Sequence, residues 1–207
     1  MSKVQLQGNV SGTGIFTIAS PNSNTDRTLT LPDNTGTLLT SGSSIQRSQL
    51  PTGSVLQVVS ATSSTAVAFN NAFANLTGFS ISITPSSASS RILYIVSIPS
   101  LLDNSTPYNG GGIRVLRNGS VMLGQVVDGN RGQVSFPLIV SVGQNQLTTV
   151  TWSFLDSPAT TSSVTYSMQA GFTDGDGTGY INRTQDNVDN SERVRTQTNI
   201  LAIEVAA

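Results

Sequence analysis

From Gly53 onward, short runs of alternating apolar and polar residues follow one another, each closed by Gly, Pro, Asn, Asp or Ser. A period of two is the signature of strands buried on one face. The runs are Ser54–Ser60, Thr65–Phe69, Gly78–Thr84, Arg91–Ile98, Gly112–Arg117 and Ser120–Val127. They continue with Gln133–Val142, Leu147–Leu155, Ser163–Phe172, Thr178–Arg183 and Thr198–Val205. This spacing predicts an all-β sandwich or barrel. No stretch of ten residues keeps a helical period, so little helix is expected. Between two runs, Asn118-Gly119 supplies the two positive-φ positions of a tight hairpin. Pro137 lacks a backbone donor and predicts an edge or a bulge.

The alternation also names a core. Phe79, Ile81 and Ile83 share one face of their strand, and Ile92, Tyr94, Val96 and Ile98 share a face of the next. Val150, Trp152 and Phe154 form a third row, and Val164, Tyr166 and Met168 a fourth. With apolar neighbours at i−2 and i+2, Trp152 is expected in the core rather than as a sugar-stacking platform. On the last strand Ile200, Ala202 and Glu204 oppose Leu201, Ile203 and Val205, and the pattern leaves open which row faces inward.

Before residue 50 the chain is different. Its apolar residues are sparse and lie in three short alternating pieces, Gly14–Ala19, Arg27–Pro32 and Gly36–Thr40, separated by turn-rich stretches. Three such strands bury too little surface to stand alone. Their apolar faces and open edges invite pairing with copies of the same chain, and cyclic symmetry would close such an assembly. Phe16, Ile18, Leu29 and Leu31 are therefore the expected oligomer contacts. The expected domains are an N-terminal strand module over 1–44, serving attachment and trimerisation, a connector over 45–53, and a sandwich knob over 54–207. Within Ser41–Ser54, Ser43 or Ser44 could cap one helical turn that Pro51 stops.

Charged residues make up 10% of the 207-residue chain, its formal net charge is −1, and it has neither His nor Cys. A Ser-His-Asp triad, a Cys nucleophile, a disulfide and a standard zinc site are excluded. Scattered arginines at near-zero net charge do not make a duplex-binding surface, so no nucleic-acid partner is expected. The apolar run Ile92–Val96 is far below the ~18 residues of a spanning helix, so no membrane partner is expected. The first ten residues contain no apolar core of a signal peptide, which points to synthesis in a cytoplasm without signal-peptide secretion.

Few residues remain as candidates for chemistry. Asp174 and Asp176 sit two apart on a Gly-rich loop and offer hard oxygens to calcium, but the loop lacks the further ligands of an EF-hand. A solvated hairpin tip explains them as well, and no resident metal or cofactor is expected. No pair of acids flanks a cleft as a glycosidase requires. Gly110–Gly112 precedes a strand and lacks the Lys of a phosphate cradle, which leaves a loop or bulge. Arg183, Arg193 and Arg195 flank the mixed run Gln185–Glu192 and are expected to form local ion pairs rather than an anion site.

Two parts of the chain carry a resemblance. Asn24–Gly42 (NTDRTLTLPDNTGTLLTSG) resembles a short module of tail-fibre and other virion proteins of tailed bacteriophages, particularly marine and cyanobacterial ones. The stretches SISITPSSASSRILYIVSI, IRVLRNGSVM, FLDSPATTSSVTYSMQA and GYINRTQDN resemble a C-terminal β-sandwich domain of the same proteins. The resemblance implies a jelly-roll-like, homotrimeric virion surface protein, not an enzyme, and brings no catalytic residues. The N-terminal module would bind other virion proteins, and the tip loops a host surface glycan. Receptor-loop candidates are Tyr108, Asn109, Arg131, Asp174, Asp176 and Tyr180, in or near loops 103–111, 128–131, 156–162 and 173–178. Such fibres have a long shaft that this sequence lacks, which favours a trimeric capsid decoration protein as the alternative. A carbohydrate-active depolymerase is a further alternative, disfavoured by the missing acid pair.

Overall fold

The structure is a computed structural model that describes residues 8, 10–15, 17–19, 21–30, 33, 35–36, 42, 44–70, 72–103, 110–122, 129, 131–139, 145–173 and 177–207. Contacts divide the chain into two units, Met1–Ser43 and Ser44–Ala207.

No described residue of the first unit joins a strand or a helix, and all of them are exposed. Within the single chain, the described residues of the pieces over 14–19 and 27–32, expected as strands of the 1–44 module, form no strand. Phe16, Leu31 and most of the third piece lie outside the described residues. Arg27–Thr30 keeps its alternation but has no ladder, because alternation is a local property and a strand needs a partner's donors and acceptors.

The second unit is all-β. Its strands are β1 (Val55–Ser63), β2 (Val67–Phe69), β3 (Ala74–Ile83), β4 (Arg91–Asp103), β5 (Gly111–Arg117) and β6 (Ser120–Met122). They continue with β7 (Phe136–Pro137), β8 (Thr148–Asp156), β9 (Val164–Phe172), β10 (Thr178–Ile181) and β11 (Thr198–Val205). All pairings are antiparallel and make two sheets packed as a sandwich. In the first sheet the long strand β4 pairs with β8 along Ile92–Ser100, with β11 along Arg91–Ser97 and with β10 along Ser100–Asp103. Beyond them β1 pairs with β11, and β2 with β10. The second sheet runs β3-β9-β5-β6, with β7 also on β5. No helix among the described residues is long and apolar enough to cross a membrane.

The four inner rows read from the sequence face the core. Phe79, Ile92, Tyr94, Val96, Ile98, Val164 and Tyr166 have no exposed surface. Trp152 packs in the core, its ring stacked on Phe136 at 5.2 Å and tilted against Phe154 at 4.8 Å. On β11 the inner row is Ile200, Ala202 and Glu204, while Leu201, Ile203 and Val205 are half-buried on the outer face.

Asn118 (φ 49°) and Gly119 (φ 84°) make the two-residue turn between β5 and β6, with Arg117 opposite Ser120. Two expectations change. Among the described residues of the run 133–142 only β7 forms, an edge strand that ends at Pro137, which cannot donate to a ladder. Gly111, expected in a loop or bulge, instead opens β5 ahead of Gly112. A Cβ on Gly112 would lie 2.5 Å from Val134 Cγ1, so the strand needs glycine for close approach. The connector holds a single 3-10 turn at Arg47–Gln49. It is capped by Gln46 rather than a serine, with Gln49 Oε1 accepting from the Gln46 N–H at 2.7 Å.

Candidate functional site

A buried asparagine organises the connection from β10 to β11. Asn182 stands in the left-handed region at φ 60°, which Asn tolerates better than most residues. Its side-chain amide donates to the carbonyls of Ser63 (2.8 Å) and Thr65 (3.1 Å), and its Oδ1 accepts from Thr198 Oγ1 (3.0 Å). Its N–H donates to Pro99 O, and its carbonyl accepts from the Thr196 N–H. Every polar group of this fully buried residue is paired, so the break between β1 and β2 and the start of the 183–197 loop are fixed at one point.

The loop then folds on its own polar groups. Arg183 and Arg195 face each other as an isolated bridge. Thr184 Oγ1 donates to Asp186 O at 2.9 Å, and Gln185 Nε2 reaches Asp103 Oδ2 at 2.8 Å. Arg193 pairs with Asp186 at 3.2 Å and with Glu192 at 3.6 Å, and Arg195 donates to Asn187 Oδ1. The local ion pairs expected of this run are present. They enclose a concavity of about 220 Å³ lined by Asp186, Asn187, Asp189, Asn190, Arg193 and Arg195 among others. Acids and guanidinium groups balance there, and amides stand between them. Arg193 Nε, Gln185 Oε1 and Thr196 Oγ1 are buried in this loop and have no hydrogen-bond partner. The lining, which also includes Val188 and Val194, thus offers donors and acceptors of balanced charge.

Two buried carboxylates serve the fold. Asp156 accepts from Arg117 Nη1 (2.8 Å), the Ser157 N–H (2.9 Å) and the Tyr166 hydroxyl (2.7 Å), which joins the two sheets at one end. Burial and the Asp156 carboxylate push the Tyr166 phenol well above its ordinary pKa, and burial does the same to Tyr94. Glu204 accepts from Gln57 Nε2 (2.6 Å), the Ser86 N–H (2.7 Å) and Ser86 Oγ (2.6 Å). Burial alone would raise its pKa, but the bonds from Ser86, Ser90 and Gln57 outweigh burial and lower it. A carboxylate held ionised by several donors is a weak proton acceptor and a strong anchor for the 84–90 loop.

The other sequence candidates scatter. Tyr108, Asn109, Asp174 and Asp176 lie outside the described residues, so the calcium reading concerns atoms not described. Among the described residues no group of three metal-ligating side chains gathers. Arg131 is exposed. Tyr180 is half-buried in β10, with the Arg183 guanidinium 4.6 Å above its ring, and it stands at the base of the 183–197 loop. Ile18 and Leu29 are 75% and 82% exposed. The sequence marks the residues of the concavity only as an arginine-flanked polar run. Glu204 carries a clearer sign, a charge inside an apolar row. No family model matches the chain, and no curated protein matches it.

Proposed function

We propose that this chain is a virion structural protein, a homotrimeric surface knob of tail-fibre type that contacts host surface glycan. The observation that carries it is the first unit, whose apolar side chains Ile15, Ile18 and Leu29 stand in water without a ladder. A segment of this kind gains order by pairing outside its own chain, and closed symmetry lets copies of it do so without endless growth. The strand order β1-β11-β4-β8 opposite β3-β9-β5-β6 supports a jelly-roll-like knob, since each sheet interleaves strands distant in sequence. The concavity of the 183–197 loop supports a hydroxyl-rich ligand such as a sugar, with Arg193 and Asp186 as donor and acceptor.

A capsid decoration protein is the second reading. It is favoured by the first unit, whose described residues are all exposed and form no strand of their own, as suits a segment that grips a neighbouring shell protein. Gold-labelled antibody against the protein, viewed on intact particles, separates the two by marking tail tips or heads. Purified protein that blocks particle adsorption to cells, with R193A losing the block, supports glycan contact. Labelling of neither tails nor heads overturns both readings.

A further inference from the structure

The outer face of the first sheet carries an apolar row that water gives no reason for. The register sets Leu155 of β8 opposite Leu93 of β4, Leu93 opposite Ile203 of β11, and Ile203 opposite Val58 of β1. One apolar side chain per strand thus crosses four strands in a line. The next row has Ile95 opposite Leu201, between Ser153 and Ser60. At the flanks Val58 is 59% and Leu155 42% exposed. On β11 the outward row is greasier than the inward one, which includes Glu204. The second sheet is the reverse. Its outer face is tied by polar pairs, Ser82 to Thr165 at 2.7 Å and Gln169 to Asn75 at 3.0 Å.

We infer that this face of the β8-β4-β11-β1 sheet is buried against a second copy of this chain. Four strands paired over seven to nine residues, about 4.8 Å apart with a rise of about 3.4 Å per residue, make a face of roughly 520 Å² per copy. Two such faces together clear the ~1,000 Å² that a specific interface needs. Within that face the apolar side chains of the two rows are contiguous, and an exposed apolar patch of this kind marks an interaction site. The two rows contain no charged residue, and the row beside them holds a single one, Arg91 opposite Val205, so apolar contact with another copy rather than charge pairing suits the face. Hydroxyls border it, with Ser97 and Thr151 hydrogen bonded at 2.8 Å in the following row. That is the apolar centre and polar rim of a protein–protein interface. The inference rests on the multimeric part of the proposed function and locates a copy contact on the knob itself.

The test is the solution mass of the full chain and of V58K/L155K, measured by light scattering with circular dichroism as the check on folding. The wild type is expected as a multiple of the single-chain mass, and the folded double variant as a smaller species. A wild-type multimer with a folded double variant of unchanged mass overturns this face and leaves the virion reading standing. A monomeric wild type at tens of micromolar overturns the face and the trimer together. If V58K/L155K fails to fold, single-cysteine variants decide, because the natural chain has no Cys. S60C on this face should link between chains with a short bismaleimide several-fold faster than S80C on the outer face of the other sheet. Equal linking rates overturn the inference.

Discussion

The Tyr166 hydroxyl donates a 2.7 Å hydrogen bond to Asp156 Oδ2 and so ties β9 to β8 across the space between the sheets. Arg117 reaches the other oxygen of the same carboxylate from β5. Removing the carboxylate leaves a buried phenol with no acceptor, whereas Arg117 is partly exposed and can turn to water. D156A is expected to cost about 2–3 kcal/mol and Y166F about 1 kcal/mol. Urea unfolding followed by Trp152 fluorescence measures both, and equal costs would contradict this assignment.

Glu204 should make the fold acid-sensitive. Its pKa is lower in the folded chain than in the unfolded one, so the unfolded state takes up its proton first as the pH falls. The stabilisation is present above the ordinary carboxylate value of about 4.3 and is lost as the pH drops through the lowered one. Thermal midpoints measured between neutral and acidic pH should fall less steeply for E204Q than for the wild type.

At the alkaline end the sign reverses. Tyr94 and Tyr166 have raised pKa values, so their stabilisation is whole below the ordinary phenol value of about 10 and declines above it. Their phenolate absorbance should appear together with unfolding, not before it. In Y94F/Y166F the amplitude gained at that transition should drop by two phenolates.

Two glycine substitutions should fail for different reasons. Gly119 has open space around it but a φ of 84°, so G119A pays only left-handed backbone strain, about 1–2 kcal/mol. Gly179 lies opposite Phe69, whose ring would be 2.0 Å from an added Cβ, so G179A is an overpacking change of about 1–3 kcal/mol. Shaving the ring should tell them apart: F69L should recover part of the loss in G179A and none of the loss in G119A.

The strands of the second unit were legible because a period of two is written locally, as in Ile92, Tyr94 and Val96. The Asn118-Gly119 turn was legible for the same reason. The inward row of β11 was not, since both of its faces are apolar and the choice is made by pairing with β4 and β1, far away in sequence. The 183–197 concavity depends likewise on Asn182 meeting Ser63 and Thr65, which no window around residue 182 contains. Among the described residues of the first unit the local pattern was present, and the ladder that would turn it into strands was not.

The position of β11 between β1 and β4 has a consequence for biosynthesis. A ribosome releases β1 and β4 early, yet neither can complete its side of the sheet until residues 198–205 have left the exit tunnel. Joining β1 to the rest of that sheet therefore waits for β11, and the nascent polypeptide must keep β1 and one edge of β4 soluble until β11 is made.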